Sequence, residues 1–420
     1  MSGGCTVKQQ KKKKVGWISW YRRICVLGWF VFAYVLLFSY IPDEIYVSRE
    51  SDNCAFAKGL PISVDEAVAS QPVFGAQRVG AAAESDGVLL CRLFDLIPVK
   101  QVVVHDMDRP MVTAAGTNIG IYLKNSGVLV VECASFTDQN GALISPAAYR
   151  MRSGDIIQSV NGTNLTSKEE LIRAVEESGG RQLVLQVQRG EEQIRIAVTP
   201  EIASDGVAKL GLWVRDDIAG IGTLTFVTKE QDYGALGHGV SDLDTGELIR
   251  IDEGGIYETK ITGISKGKRG IPGEVTGLIR FYSSSYLGTI GANGKNGIYG
   301  KLTRLPEELL ETETVPVGYK QEIAKGTAQI ICSVEGERKA YEIEIESIDY
   351  HAKEENKGIR YRVVDEQLLN TTGGIIQGMS GSPILQNGRL IGAVTHVFVD
   401  DPTRGYGIFA ENMLREAIAK

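Results

Sequence analysis

The sequence predicts a mainly β protein carried on an amino-terminal transmembrane helix. Three observations predict it: 49 glycines against 12 prolines in 420 residues, short apolar runs bounded by turn signals through most of the chain, and one unbroken apolar stretch near the start. With 43% hydrophobic and 23% charged residues, the chain has the make-up of a folded protein with a sizeable core. Its length allows two or three domains.

The net charge of −7 hides an asymmetry. Lys8, Lys11, Lys12, Lys13, Lys14, Arg22 and Arg23 all precede the first acid, Asp43, which leaves residues 43–420 with 38 basic against 52 acidic groups. Such an acidic body excludes a nucleic-acid partner on electrostatic grounds. The basic head adjoins an apolar run, residues 24–41, ICVLGWFVFAYVLLFSYI, which carries no charge and accounts for it. A helix of that length, at about 1.5 Å per residue, roughly matches the ~30 Å hydrocarbon layer. Trp17, Trp20, Tyr21 and Tyr40 stand where interfacial aromatics belong. The basic flank makes residues 1–23 a cytoplasmic tail and sends the rest across the membrane. A cleaved signal peptide is the competing reading, but it calls for a shorter apolar region and a small-residue cleavage site, whereas the run here ends in SYIPDE.

Residues 42–103 show a weak pattern and read as a linker or pro-like region. The six cysteines are scattered without C-x-x-C spacing, so neither a metal site nor a disulfide framework is indicated, and nothing calls for a cofactor.

From residue 104 the chain becomes regular. TNIGIYL and SGVLVVECAS read as strands, and Gly154-Asp155 and Asn161-Gly162 signal turns around Ile156, Ile157 and Val160. TSKEELIRAVEES offers Thr166 or Ser167 as the N-cap of a helix with Leu171, Ile172 and Val175 on one face. QLVLQVQRGEEQIRIAV closes the segment as a hairpin. This order, and GDIIQSVNG in particular, resembles a PDZ domain over residues 104–199, a module that binds an extended peptide at a sheet edge. The resemblance implies a peptide-binding loop at Asn118, Ile119, Gly120 and Ile121, although Asn118 stands where the family commonly has glycine. Core packing of Ile119 and Ile121 is the plainer alternative.

Beyond Gly211, runs such as IGTLTFVT, GLIRFY, YEIEIESI and IRYRVV alternate with turns and suit a closed or sandwiched antiparallel β architecture. GMSGSPI, residues 378–384, sets Ser380 between glycines. The segment is either a nucleophile turn, with the N–H groups of Gly378 and Ser380 as an oxyanion hole, or a tight turn without chemistry. The G-x-S-x-G elbow does not fit, because position 382 is serine. Of four histidines, His238 in GALGHGVSD has the small neighbours of a site residue, while His396 in GAVTHVFVDD suits a packed residue or a pocket wall. Asp365, Asp242, Asp244 and Asp252 are all available as an orienting acid.

GLWVRDDIAGIGTLTFVT, YGALGHGVSDLDTG and GMSGSPILQNGRLIGAVTHVFVDDPTRGYGIF, with the PDZ-like segment ahead of them, resemble the SpoIVB peptidases of spore-forming bacteria over about residues 104–415. The resemblance implies a membrane-anchored serine endopeptidase with a PDZ domain (104–199) followed by a chymotrypsin-like β-barrel peptidase domain (200–420). It implies a triad of His238 as base, Asp365 as orienting acid and Ser380 as nucleophile, in the chymotrypsin chain order. By analogy with the strand after the nucleophile, it implies a pocket lined by Thr395, His396 and Val397. Met379 replaces the acid that many secreted relatives carry, so activation by a buried ion pair with a new amino terminus is not expected. The implied setting is the space between the two forespore membranes in sporulation. There the enzyme would cleave itself free of its anchor and cut a SpoIVFA-like regulatory subunit, activating intramembrane processing of pro-sigma-K. The alternative from another class is a PDZ-dependent adaptor whose peptidase-like domain is catalytically dispensable.

Overall fold

The computed structural model describes residues 6–47, 61–66, 87–106, 109–242, 246, 248–249 and 251–418. They form two compact units: Met1–Arg109 with the short segments Tyr319–Ile323 and Asp349–Ala352, and the remainder of the chain. The mainly β expectation holds, with 52% strand against 17% helix.

In the first unit, helix α1 (Thr6–Tyr40) contains an apolar stretch, Trp20–Tyr40, long enough to cross a membrane. Beyond it lies a four-stranded sheet in the order Glu44–Val47, Ile97–Asp106, Gly87–Leu93, Ile62–Glu66, the first pair parallel and the others antiparallel. Ile41, Ile45, Cys91, Val99 and Val102 form its small core. The buried amine of Lys100 lies 2.7 Å from the Ile41 carbonyl and 2.7 Å from Asp43. Burial pushes the Asp43 pKa up, but the hydrogen bond and charge of Lys100 outweigh it and hold the carboxyl below its ordinary value. His351, on one of the short segments, contacts the same place: its ring nitrogens lie 2.9 Å from the Ile41 carbonyl and 3.1 Å from Asp43. The linker reading of residues 42–103 is therefore corrected for every part of it that is described. The hairpin turn at Phe94 and Asp95 takes positive φ (53° and 61°) without glycine or asparagine, so the sequence lacked the usual turn signal. The intervening stretches, 48–60 and 67–86, lie outside the described residues.

The second unit is built on twelve strands in two sets of six. The first set is β1 (Asn118–Cys133), β2 (Leu212–Thr228), β3 (Asp232–Ala235), β4 (Ile251–Ser265), β5 (Tyr286–Gly294) and β6 (Gly297–Leu302). These pair in the ring β1-β2-β3-β6-β5-β4 and back to β1. The second set is β7 (Gly326–Cys332), β8 (Lys339–Ile348), β9 (Ile359–Val363), β10 (Pro383–Gln386), β11 (Arg389–Phe398) and β12 (Asp401–Phe409). It closes in the same order, β7-β8-β9-β12-β11-β10. Closure leaves neither ring with an open edge. Ile119, Ile121, Leu123, Leu224, Tyr233, Ile256 and Ile298 fill the first barrel. The second buries Ile330, Tyr341, Ile343, Tyr361 and Ile384.

The PDZ-like module is inserted between β1 and β2 and does not precede the barrel. The two strands pair from Leu212↔Cys133 in the module to Thr223↔Asn118 in the barrel, with register shifts at Trp213/Val214 and at Arg215/Asp217. The module adds Ile156–Val160, Leu183–Arg189, Glu192–Val198 and helix α2 (Lys168–Ser178) around a separate core that includes Val130, Ile157, Leu171 and Leu185. Ser167 is the N-cap, accepting from the Glu170 N–H, and Gly179 ends the helix in the left-handed conformation. The boundary expected near residue 200 thus differs from the topology, in which barrel strands lie on both sides of the insertion.

Candidate active site

His238 comes after the third strand of the first barrel, and Ser380 precedes the fourth strand of the second. The chain reaches His238 through Leu236 and Gly237, both with φ of 70°. A side chain at Gly237 would find no room, since a Cβ there would come within 2.8 Å of Thr395 Cγ2. The His238 Nδ1–H donates to the Gly239 carbonyl at 2.9 Å. A carbonyl can only accept, so Nδ1 carries the proton and Nε2 keeps a free lone pair. Burial lowers the pKa of the ring, opposed by the bond to Gly239, and keeps the imidazole neutral.

The Ser380 turn is held from three sides. From the first barrel, the Thr223 N–H donates to the Ser380 carbonyl at 3.0 Å, while the hydroxyls of Thr223 and Thr225 donate to the carbonyls of Gly378 and Gly381, each at 2.8 Å. From the second barrel, the Val394 carbonyl accepts the Gly381 N–H at 2.8 Å. Strand Glu274–Ile279, paired with β4, secures the residue before Gly378: Gln377 donates to Gly273 at 2.8 Å and accepts from Val275 at 2.9 Å. Gly378 adopts φ 100° and Gly381 φ 93°, conformations that favour glycine. Among the described residues, the N–H groups of Gly378 and Ser380 donate to no protein acceptor. Two unspent donors beside a hydroxyl are what stabilisation of an oxyanion needs. Met379 is fully buried.

The two halves meet at Thr395. Its carbonyl accepts the Ser380 hydroxyl at 3.0 Å, its methyl packs on Gly237, and the next residue, His396, lies with its ring 5.4 Å from that of His238. Burial, then the neighbouring His238 and Lys357, push the His396 pKa down to about 4. The Nδ1 of His396 is buried with no hydrogen-bond partner among the described residues. The Thr395 hydroxyl is spent inside the barrel on the carbonyls of Asn356 (2.6 Å) and Tyr406 (3.0 Å), and Val397 pairs with Gly405. Of the three pocket residues expected from sequence, His396 is the side chain that faces His238.

Two expectations differ from the structure. Asp365 caps helix α3 (Glu366–Thr372): one carboxylate oxygen accepts the Leu368 N–H at 3.0 Å and the other the Glu342 N–H at 3.3 Å. Among the described residues it makes no hydrogen bond or ion pair with His238, and its carboxylate serves as a helix cap where the sequence led us to expect an orienting acid. Of the other candidates, Asp242 pairs with Arg215. Asp244 lies outside the described residues.

Asn118, Ile119, Gly120 and Ile121 belong to the first barrel, not to a peptide-binding loop. Ile119 and Ile121 are core, the Asn118 amide donates to the Ser333 carbonyl at 2.8 Å, and a Cβ at Gly120 would strike Ile279. In the module, residues 212–215 pair with β1 and, among the described residues, with no second strand, and the strand they begin packs beside α2. Trp213, 66% exposed, lies in this stretch. Sequence reasoning missed it, because the PDZ resemblance implied the loop at Asn118–Ile121, although Leu210-Gly211-Leu212 is apolar-Gly-apolar as well. A separate groove of about 620 Å³ opens between the 160–165 turn and α2.

The family model for SpoIVB peptidase S55 matches residues 206–414, and a PDZ domain model matches residues 145–189. The probable membrane metalloprotease ARASP2, chloroplastic, of Arabidopsis thaliana is 27% identical over 108 residues, covering 24% of this chain. The chain spans 23% of the length of that curated relative. Among solved structures, the PDZ domain of an SdrC-like protein from Listeria monocytogenes is 22% identical over 21% of this chain and 87% of its own, with a TM-score of 0.18. The HtrA-type protease AlgW with decapeptide is 12% identical over 73% of this chain and 64% of its own, with a TM-score of 0.30.

Proposed function

The chain belongs to the SpoIVB peptidase family, and from that premise we propose that it is a membrane-anchored serine endopeptidase with Ser380 as nucleophile and His238 as general base. The observation that supports this reading is a shared neighbour: Thr395 accepts the hydroxyl of a Ser380 turn with two unspent N–H donors and lies against Gly237, the residue before a neutral, Nδ1-protonated His238. The reading requires the Ser380 hydroxyl to leave the Thr395 carbonyl for His238 Nε2; catalytic hydrogen bonds often tighten only with substrate bound. Attack on the scissile carbonyl forms the Oγ–C bond as Nε2 takes the hydroxyl proton. The N–H groups of Gly378 and Ser380 stabilise the oxyanion, and the imidazolium protonates the leaving amine. Water, activated by the same imidazole, then hydrolyses the acyl-enzyme. Among the described residues, the Gly239 carbonyl is the group bonded to the ring and fixes its tautomer.

The substrates we propose are this chain itself, on the amino-terminal side of residue 110, and a SpoIVFA-like regulatory subunit whose cleavage would activate processing of pro-sigma-K during sporulation. The basic tail and apolar helix support an exoplasmic location for the folded units, in the forespore intermembrane space. The PDZ module is proposed to present a peptide along residues 212–215. Intact mass of the full chain in detergent, wild type against Ser380→Ala, tests the reading. Amino-terminal shortening in the wild type alone is expected. Equal persistence of both chains, with no reaction of Ser380 with a fluorophosphonate, would overturn it.

A further inference from the structure

The turn between β5 and β6 consists of Lys295 and Asn296, and Asn296 is 6% exposed. Its Nδ2 donates to Glu355 Oε2 at 2.8 Å and to Glu416 Oε1 at 2.7 Å. Glu355 belongs to the turn between β8 and β9, and Glu416 to helix α4 (Ala410–Ile418). The Tyr299 hydroxyl donates to the Asn296 carbonyl at 2.9 Å, and Arg415 lies 3.4 Å from Glu355. Two carboxylates would repel each other at this separation, and one primary amide has two N–H groups with which to hold both.

The contacts outward from this amide lead to each half of the active site. Towards the histidine, the Lys295 carbonyl accepts the Gly239 N–H at 3.2 Å. Asn293 brackets Val240, accepting its N–H at 2.8 Å and donating to its carbonyl at 2.8 Å. Gly239 is thus fixed by the turn that Asn296 anchors, and Val240 by Asn293 at the end of the strand leading into it. Towards the serine, the Asn356 carbonyl, next to Glu355, accepts the Thr395 hydroxyl at 2.6 Å, and the Thr395 carbonyl accepts the Ser380 hydroxyl. Glu416 tightens the junction from a third element; a Cβ at Gly294 would meet its Oε2 at 2.5 Å.

We propose that Asn296, clamped between Glu355 and Glu416, is a positioning residue that sets the distance between His238 and Ser380 across the two barrels. The inference rests on the reading of those two residues as base and nucleophile. A misplacement of about 1 Å in such a pair can cost on the order of 10²-fold in rate.

The test uses the full chain in detergent and two readouts: the rate at which a fluorophosphonate labels Ser380, and kcat and KM for cleavage of the Ser380→Ala chain in trans. Asn296→Asp, which sets a third carboxylate against two, is expected to slow labelling and kcat at least tenfold, with KM unchanged, at a temperature where circular dichroism shows the chain folded. Asn296→Asp with Glu416→Gln exchanges donor and acceptor across the same contact and is expected to recover both rates to within about threefold. Glu355→Gln, a milder change, is expected to lower kcat without moving the unfolding midpoint. Wild-type rates in folded Asn296→Asp, or no recovery in a double variant as stable as the wild type, would overturn the proposal. If Asn296→Asp does not fold, an unchanged kcat in Glu355→Gln would do so. A wild-type chain that neither labels nor cleaves refutes the catalytic reading itself.

Discussion

The Ser380 hydroxyl lies 3.0 Å from the Thr395 carbonyl, while two residues on the Ser382 hydroxyl is fully buried without a partner among the described residues. The two serines of one short motif are therefore chemically unequal. Ser380→Ala should abolish fluorophosphonate labelling with little change in stability. Ser382→Ala removes an unpaired buried hydroxyl and should leave labelling intact, with stability unchanged or raised by up to about 1 kcal/mol. Urea unfolding of both variants checks this.

Burial holds His238 below its ordinary pKa and His396 at about 4. A base must be unprotonated to act, so the acid limb of the labelling rate should fall below the usual histidine value of about 6.5. Stability carries the same sign. As pH drops through about 6.5 the unfolded chain takes up protons that the folded chain refuses, so stability declines between there and about 4. A labelling rate that halves above pH 6.5 would contradict the neutral-histidine site.

Asp365 separates a capping role from a catalytic one. Asp365→Asn and Asp365→Ser keep an N-cap acceptor and should stay near wild-type activity, whereas Asp365→Ala should cost about 1 kcal/mol of stability. An orienting acid would behave otherwise, with Asp365→Asn losing on the order of 10⁴ in kcat. Steady-state rates of the three variants decide between them.

Gly381 has no room for a side chain. A Cβ there would lie 2.1 Å from the Thr223 carbonyl and 2.5 Å from the Leu236 nitrogen, at a φ of 93° that disfavours any other residue. Gly381→Ala should push the nucleophile turn off the first barrel and lose activity by more than 10²-fold, measured as cleavage of the Ser380→Ala chain in trans.

The parts legible in the sequence were those in which local composition and local structure agree. The apolar run, the Ser167-capped helix and the glycines around Ser380 each read directly from neighbouring residues. The insertion of the PDZ module was not legible, because β1 and β2 each pass from module to barrel as one unbroken strand, with shifts of register and no turn to mark the boundary. Asn118–Ile121 was implied as a binding loop by the PDZ resemblance, but Ile-Gly-Ile describes a barrel strand equally well. Asp365 did carry a signal for the cap it forms, since an aspartate before Glu-Gln-Leu-Leu is an N-cap signature. No local pattern could reveal the Asn296 clamp, whose three members lie 59 and 120 residues apart.

The parallel strand after the membrane helix changes what escape from the membrane would require. Glu44–Val47 is bonded into the sheet beside residues 103–106, and Lys100 grips its entry at Ile41 and Asp43. A nick between residues 47 and 62 would divide the backbone yet leave the membrane-bound stub docked like a peptide in a groove. Departure would then be a dissociation, with its own lifetime and its own sensitivity to acid through Asp43. A cut beyond residue 106 would part the downstream chain from that sheet but leave it the contacts of His351 with Ile41 and Asp43 and of Gln321 with Tyr46, so the position of the nick would set how many contacts release must break.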